Sequence, residues 1–466
     1  MTSAQKIRED AARYWAAAIP EKWDDGQEEQ FAQLKTDLVQ EYGKENLRKG
    51  WLEVTAALAR EAEIISSKGS TIIPVVEVGQ LDQLPQETID EIKHRGAVVV
   101  RNVLSRESAQ ELQAELDQYL RDNEDEIAAR PQENPWLYES FFSPVQHKAR
   151  TNTNSLKAQR FLNSLWTGYS PDEALPEPLV YADSLRHRRP GGFSSTVQPH
   201  IDAGSLDRWA DENYRRFYDP VFTGSPLEYD PFNVQKRIAA NQAKFPGRSQ
   251  STVFRSFQGW TALSSSGAEF GRSSLAIFPN LKLAQAYVLL RPFFKPPSGG
   301  GDGTNASDPA AWVFDDSGAF PGAAKGRSQW VVDGTHPHLQ LEKTLTMTPH
   351  INPGDAVFWH SDVIHAVDPA NNTEQTATVL YIPAVPLTRN NVTYLKKQRD
   401  ALLANGQIPP DFNTRSGKSE EARYKGWIDA AGAIGGSPEG RRAYGLEKLS
   451  GDEGIVKWAN ELLGYA

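Results

Sequence analysis

The stretch "GDAVFWHSDVIHAV" at residues 354–367 combines a turn dipeptide, an apolar strand and two histidines on either side of a polar bend. Gly354 and Asp355 are typical turn residues, and the run after them has the apolar and aromatic character of a buried strand. Functional side chains are often carried by loops that a rigid scaffold positions. The stretch therefore predicts a β core with a candidate metal ligand at the end of one strand.

A second short motif, "VQPHIDAGS" at residues 197–205, carries two more candidate ligands. His200 and Asp202 are two positions apart, so on a strand their side chains point to the same side. The chain has nine histidines and no cysteine, so a protein-bound metal must be held by imidazole or carboxylate groups. Nine histidines also make an accidental His-x-Asp common, so we interpret a lone histidine in this chain as structural.

The third ligand is His365 or His360. On a strand over 356–360, His360 shares a face with Phe358 and is readable as a core residue, whereas His365 lies beside a loop. We favour His200, Asp202 and His365, because a mononuclear Fe(II) site needs three ligands on one face of an octahedron. A local cluster of His360, Asp362 and His365 is the alternative, although it needs strand and helical spacing through Asp362 at once.

The bulk composition describes an ordinary globular protein. A chain of 466 residues suits one large core with helical additions, or two to three domains. A net charge of −10 disfavours nucleic acid and anionic membranes as partners, but it does not indicate the substrate. No segment has the length of a transmembrane span and the N-terminus lacks an apolar signal region, so we expect a cytoplasmic protein. The oligomeric state does not follow from the sequence.

The predicted secondary structure changes twice along the chain. Residues 1–90 are predicted as a helical extension, 91–390 as the β core with an insertion near 295–332, and 391–466 as a second helical extension, all in one structural unit. A strand at 97–100 precedes a helix that Ser105 is expected to cap. Predicted strands lie in "FSSTVQPH", "STVFRSFQGWTALSS", "SSLAIFP", "AQAYVLLRPFF", "LEKTLTMTPH", "DAVFWH" and "TATVLYIPAV". The fold class is α+β with a mainly β core, and many short strands favour a sandwich or jelly roll.

The combination of "QPHID" with "GDAVFWHSDVIHAV" resembles the His-x-Asp…His triad of the Fe(II)/2-oxoglutarate-dependent oxygenases. "RGAVVVRNVLSRESAQELQAEL" and "GWTALSSSG" with "RSSLAIFPNLK" resemble their phytanoyl-CoA-hydroxylase-like branch. "FRSFQGW" and "YIPAVP" further resemble a fungal and bacterial domain-of-unknown-function group within that branch. Over residues 90–390, the resemblance implies a cupin-like double-stranded β-helix. It also implies iron held by His200, Asp202 and His365, with 2-oxoglutarate and O₂ as co-substrates.

One residue of that family pattern is missing. Relatives carry an arginine shortly after the distal histidine, where it pairs with the C5 carboxylate of 2-oxoglutarate. Here no lysine or arginine follows His365 until Arg389, and Thr376 and Thr378 stand at the expected place. Because a dicarboxylate favours a bidentate cation, the anchor is expected on another strand.

The candidate anchors are Arg255, which we favour, and Arg272, with Thr378 as a hydrogen-bond donor. For either arginine, a structural ion pair or a solvent-exposed position is an equally good interpretation. Trp260 is expected beside the co-substrate or in the core. The basic segment "LRHRRPGG" at 185–192 is interpreted as a solvated turn rather than a clamp for a carboxylate.

The resemblance implies oxidation of an unactivated C–H bond of a small molecule by hydroxylation, desaturation or ring closure. Some fungal members of the wider group act on small amino acids, which makes an amino acid such as valine a candidate. The missing arginine motivates an alternative, a cupin-type metal enzyme that does not use 2-oxoglutarate. A third hypothesis is a jelly-roll binding protein without catalysis, and turnover of 2-oxoglutarate separates these hypotheses.

Overall fold

The computed structural model describes residues 27–191, 198–202, 204–247, 251–269, 271–297, 308–412, 420–429 and 437–465. The helices are α1 (Gln27–Tyr42), α2 (Lys44–Lys68), α3 (Gln86–Arg95), α4 (Arg106–Asp122), α5 (Pro144–Arg150), α6 (Thr153–Ser164), α7 (Asp207–Ala210), α8 (Glu212–Phe217), α9 (Asp219–Phe222), α10 (Val234–Ala239), α11 (Leu281–Leu290), α12 (Leu341–Thr344), α13 (Arg389–Leu403), α14 (Pro438–Ala443) and α15 (Gly454–Leu463). The strands are β1 (Val75–Glu77), β2 (Ala97–Arg101), β3 (Ala129–Arg130), β4 (Leu137–Tyr138), β5 (Ala174–Pro178), β6 (Leu185–Arg188), β7 (His200–Ile201), β8 (Phe257–Ala262), β9 (Leu275–Ile277), β10 (Phe294–Lys295), β11 (Val313–Phe314), β12 (Gln329–Trp330), β13 (Thr346–Met347), β14 (Ala356–His360), β15 (His365–Val367), β16 (Ala377–Tyr381) and β17 (Pro386–Thr388).

Two large sheets organise this mixed α/β protein. The first has eight strands in the order β1-β2-β14-β8-β16-β6-β4-β3, and the second has five in the order β12-β7-β15-β9-β13. Apart from the parallel pair β1–β2, the strand pairs within these sheets are antiparallel. Antiparallel order lets one face of each sheet be buried against the other, which is where a site protected from water is built.

A hydrogen bond between the sheets locates their facing sides. Gln258 on β8 of the first sheet donates from Nε2 to Oδ2 of Asp202, which directly follows β7 of the second sheet, at 2.6 Å. Alternation along β8 puts Trp260 on the same face as Gln258. On the opposite face, Gly259 lies so close to β14 that a Cβ would fall 2.3 Å from the Phe358 ring. The inner faces of β8 and β7 therefore enclose the candidate ligands.

The N-terminal helices share the main hydrophobic core with the sheets. Trp51 of α2 is fully buried and stacks on Tyr287 and Phe294 with centroid distances of 5.4 and 4.7 Å. It also contacts Trp312, which belongs to the predicted insertion. Of that insertion, residues 298–307 lie outside the described residues, and the rest carries β11 and β12. The helical segment before the sheets is thus a structural part of the core.

Several predicted elements are present. The strand β2 and the helix α4 follow each other as expected, and the Ser105 hydroxyl accepts from the Ser108 N–H at 3.0 Å. "DAVFWH" forms β14 and "TATVLYIPAV" contains β16. The predicted strand "FSSTVQPH" lies largely outside the described residues, which resume at Gln198 just before β7.

Three local predictions are wrong. "AQAYVLLRPFF" is not a strand, because it lies in α11 and the short 3₁₀ turn after it. The Asn280 side chain caps that helix at the Leu283 N–H, and burial on all sides removes the polar stripe that marks a surface helix. "LEKTLTMTPH" begins with α12 and leaves only β13 as strand. The basic segment predicted as a solvated turn contains β6, whose four residues are all buried.

None of the helices in the described part of the chain combines the length and the apolar character needed to cross a bilayer.

Candidate metal centre

The three predicted ligands meet between the two sheets. His200 on β7 and His365 on β15 are direct partners in the strand register, with ring centroids 4.2 Å apart. Nε2 of His200 lies 3.1 Å from Asp202 Oδ1, and Nε2 of His365 lies 3.6 Å from Asp202 Oδ2. One ligand atom from each residue lies within 4.8 Å of the other two. Two imidazoles and a carboxylate on one side of an ion are a donor set suited to non-haem iron.

Hydrogen bonds hold both imidazole rings with Nε2 towards the carboxylate. Nδ1 of His200 lies 2.6 Å from the Gln198 carbonyl oxygen, and Nδ1 of His365 lies 3.0 Å from that of Val363. Because a carbonyl only accepts, each Nδ1 carries the proton and leaves the Nε2 lone pair free for a metal. The bond from Gln258 fixes Asp202 as well. The local backbone therefore preorganises all three groups.

Electrostatics favour an ionised Asp202 and a neutral His365, whereas His200 is held towards its protonated form. Burial opposes the ionisation of Asp202, but the charge of His200 and hydrogen bonds from both histidines hold its pKa well below the usual range. Burial and the neighbouring His200 lower the pKa of His365. Burial disfavours the charged form of His200 too, but Asp202 outweighs it and raises the His200 pKa. A cation that binds Nε2 of His200 must therefore displace the proton that Asp202 stabilises there.

The alternative cluster of His360, Asp362 and His365 is not formed. Asp362 accepts a hydrogen bond from the Tyr218 hydroxyl and makes a bidentate ion pair with Arg237, with both Nη–Oδ distances at 3.1 Å. His360 stacks on Trp166 at a centroid distance of 5.0 Å. These two residues fix the bend between β14 and β15, and His365 alone turns towards Asp202.

A cavity of about 620 Å³ opens beside the three ligands. Of the predicted cofactor residues, Trp260 and Arg255 line this cavity. Arg272 does not, because its side chain is 56% exposed and its Nε lies 3.8 Å from Glu269 Oε2. Thr378 lies on the opposite face of β16, where its Oγ1 is 3.1 Å from Nδ1 of His187. The structure thus brings two of the four predicted cofactor residues to the site.

An arginine that the sequence reasoning passed over also lines the cavity. Arg186 on β6 is 2% exposed, its Nε has no hydrogen-bond partner in the described part of the chain, and one Nη lies 3.5 Å from the Ser273 carbonyl oxygen. In the register, Arg186 pairs with Val379 on β16, the strand that follows His365. Cross-strand partners have their Cβ atoms about 4.5–5.5 Å apart on the same face. Arg186 therefore lies on the strand next to β16, and β16 is the strand on which the missing arginine was expected.

The signal for Arg186 was present as an alternation. In "LRHR", Arg186 and Arg188 alternate with Leu185 and His187, as in a strand with two distinct faces. Arg188 is held by the fold, because its two Nη atoms donate to the carbonyl oxygens of Asp368 and Pro369. Among the described residues, Arg186 has no ion-pair partner.

A family model named Gig2-like matches residues 25–446. The chain belongs to the Gig2-like family. The uncharacterised protein YbiU of Escherichia coli K12 is 31% identical to this Gig2-like chain over 409 residues, which cover 84% of this chain and 90% of YbiU. The crystal structure of GlcNAc Inducible Gene 2 (DUF1479) from Candida albicans has a TM-score of 0.81 at 26% identity and covers 93% of this chain and 94% of its own. A Salmonella typhimurium LT2 protein with a provisional oxidoreductase designation has a TM-score of 0.74 at 28% identity, over 92% and 100% of the two chains.

These matches refine the expected relationship. The label DUF1479 on the Candida protein agrees with membership of a domain-of-unknown-function group. The family model that matches is Gig2-like. The expected membership of the phytanoyl-CoA-hydroxylase-like branch is therefore not shown.

Proposed function

We propose that this Gig2-like protein is a non-haem Fe(II) oxygenase that uses 2-oxoglutarate and O₂ to oxidise a C–H bond of a small molecule. The observation that carries the proposal is the meeting of His200, Asp202 and His365, with preset imidazole tautomers, beside a cavity of about 620 Å³. We take the two facing sheets to be the double-stranded β-helix of such oxygenases. The provisional oxidoreductase designation of the Salmonella relative supports an enzyme of this general class.

In this proposal the three residues hold Fe(II) from one side and leave its other positions to small molecules. The bound iron supplies the activation of dioxygen, with 2-oxoglutarate as the source of two electrons. The chain contributes orientation and protection from water. Trp260, Trp359 and Tyr381 line the cavity, and their rings limit the access of solvent to the reacting centre.

We assign the C5 carboxylate of 2-oxoglutarate to Arg186. Its guanidinium is buried and lines the cavity, and it has no ion-pair partner among the described residues. A planar guanidinium binds a carboxylate bidentately, which an exposed arginine such as Arg272 is too remote to do here. This assignment replaces Arg255, the anchor that the sequence favours.

Metal binding tests the ligand assignment. Equilibrium dialysis with Co(II) should give one tightly bound ion in the wild-type protein. His200→Ala, Asp202→Ala and His365→Ala should each weaken binding at least tenfold, because each removes a ligand. His350→Ala is the matched control, since His350 is exposed and lies outside the trio. Unchanged Co(II) affinity in all three ligand variants would place the metal elsewhere.

Anaerobic titration of 2-oxoglutarate into the Fe(II)-loaded protein tests the co-substrate. We expect a visible absorption band from the keto-acid chelate and, with Arg186→Gln, at least a tenfold higher Kd for 2-oxoglutarate. Arg272→Gln should leave that Kd unchanged. A protein that binds metal but gives no such band with 2-oxoglutarate supports the cupin-type alternative. A protein that binds neither supports a non-catalytic role.

A further inference from the structure

A second arginine, Arg255, lines the same cavity as Arg186. Along β8, Gln258 is the residue that contacts Asp202. Arg255 precedes Gln258 in the chain. Arg186 is level with Ala262, beyond Gln258, because Val379 on β16 pairs with both Ala262 and Arg186. The two arginines therefore start from opposite ends of β8, with the contact to Asp202 between them.

The surroundings of Arg255 leave its guanidinium available. Arg255 lines the cavity and is half-buried, and among the described residues its side chain has no hydrogen bond or ion pair. The carboxylates of Asp183 and Asp411 line the same cavity, and both are already bonded to other groups. Asp183 accepts from the Ser184 N–H at 2.7 Å, and Asp411 accepts from the Tyr181 hydroxyl at 2.9 Å. A partly desolvated cation beside a satisfied acid favours an additional anion.

The wall around Arg255 is aromatic. Tyr181 and Phe412 line the cavity, are each at most 4% exposed, and have ring centroids 5.9 Å apart. Burial and the nearby Asp411 raise the pKa of Tyr181, and Arg255 opposes them, which puts the guanidinium within electrostatic reach of that hydroxyl. Flat apolar side chains bury ligand surface, while a few polar groups fix orientation. This half of the cavity is therefore suited to an anion with an apolar or aromatic body.

We propose that Arg255 binds the anionic group of the substrate, and that the substrate is a small organic acid whose apolar body packs against Tyr181 and Phe412. The inference rests on the proposed function, in which Arg186 holds 2-oxoglutarate. The protein then has two anion sites, one on each side of the metal, and the substrate's carbon skeleton lies over the metal between them. Discrimination against neutral analogues follows, because they leave the Arg255 guanidinium unpaired.

A matched pair of fluorescent probes tests the anion site without turnover. 8-Anilinonaphthalene-1-sulfonate and N-phenyl-1-naphthylamine share one aromatic body, but only the first is an anion. In the full chain, Arg255→Gln should raise the Kd of the sulfonate at least tenfold and change that of the neutral amine less than twofold. Arg255→Lys should recover part of the loss. The control Arg272→Gln should leave both probes unchanged.

The same titrations are repeated with Fe(II) and saturating 2-oxoglutarate under anaerobic conditions. We expect the sulfonate to remain bound with 2-oxoglutarate present, and Arg255→Gln to leave the 2-oxoglutarate Kd unchanged. The proposal is overturned if the sulfonate does not bind, if Arg255→Gln leaves its Kd unchanged, or if both probes weaken equally. Competition between 2-oxoglutarate and the sulfonate through Arg255 would also overturn it. If the anion effect holds but no keto-acid chelate forms, the proposed function fails while the anion site stands.

Discussion

The carboxylate of Asp362 stabilises the bend between β14 and β15, just before the candidate ligand His365. Its carboxylate pairs with Arg237 and Tyr218 and is shielded from water. Asp362→Asn leaves the Arg237 charge uncompensated in the interior, which should cost about 3–5 kcal/mol in the free energy of unfolding. Urea denaturation followed by circular dichroism measures this loss. The surface pair Arg216–Glu212 is the control, and Glu212→Gln should change stability by less than about 1 kcal/mol.

The lowered pKa of Asp362 predicts that the free energy of unfolding decreases at acid pH. Burial disfavours its charge, but Arg237 outweighs burial and lowers the Asp362 pKa to about 2. The stabilisation from its ionised form is therefore present above the ordinary carboxyl pKa and is lost as the pH falls towards 2. Denaturation midpoints between pH 5 and 2 should fall more steeply for the wild type than for Asp362→Asn. Parallel curves would contradict this assignment.

The raised pKa of Glu421 should make the protein less stable as the pH rises. Burial raises its pKa to about 7, although the Phe141 and Phe142 N–H groups donate to it at 2.6 and 3.1 Å. The folded state holds the proton that the unfolded state releases from about pH 4.5, so stability falls as the pH rises through this window, by about 3 kcal/mol. Glu421→Gln should remove that slope between pH 5 and 7.5. A variant whose pH profile matches the wild type would show that Glu421 is ionised in the folded protein.

The turn before β14 is an element that depends on one glycine. Gly354 has φ +94°, and a Cβ there would lie 2.2 Å from the Leu104 carbonyl oxygen. Gly354→Ala should destabilise the protein by about 1–3 kcal/mol, because both the backbone conformation and the contact become strained. Gly79→Ala is the control, since a Cβ at Gly79 meets nothing within 4 Å. Equal thermal midpoints for the two variants would contradict the role of this turn.

The elements differ in how far the sequence determines them. β2, α4 and β14 were predictable because a β-branched run, an N-cap serine and a Gly-Asp turn are local signals. The spacing of His200 and Asp202 was likewise enough to nominate them as ligands. α11 was mispredicted because a helix buried all round lacks amphipathic periodicity. The position of Arg186 at the cavity was missed because it depends on β6 pairing with β16, and no local sequence pattern indicates which strands are neighbours.

At the scale of the whole molecule, the N-terminal helices and the sheets share one core. Trp51 is fully buried among Tyr287, Phe294 and Trp312, whereas the adjacent Leu52 is 40% exposed. Trp51→Ala should cost about 3–5 kcal/mol and Leu52→Ala much less. Because the core is continuous, loss of bound Co(II) and loss of helical signal should occur in one transition. Separate transitions in Trp51→Ala would show that the helices unfold independently of the metal centre.

Under the proposed assignment of 2-oxoglutarate to Arg186, the pairing of Arg186 with Val379 has an evolutionary consequence. A functional charge that moves from one strand to its cross-strand partner travels far along the gene but remains at nearly the same point in space. Related lineages can thus keep one chemistry while exchanging the position that encodes it. An alignment would record two unrelated events, a lost arginine and a gained one. The engineered equivalent is the exchange Arg186→Val with Val379→Arg, which should restore 2-oxoglutarate binding that Arg186→Val alone removes.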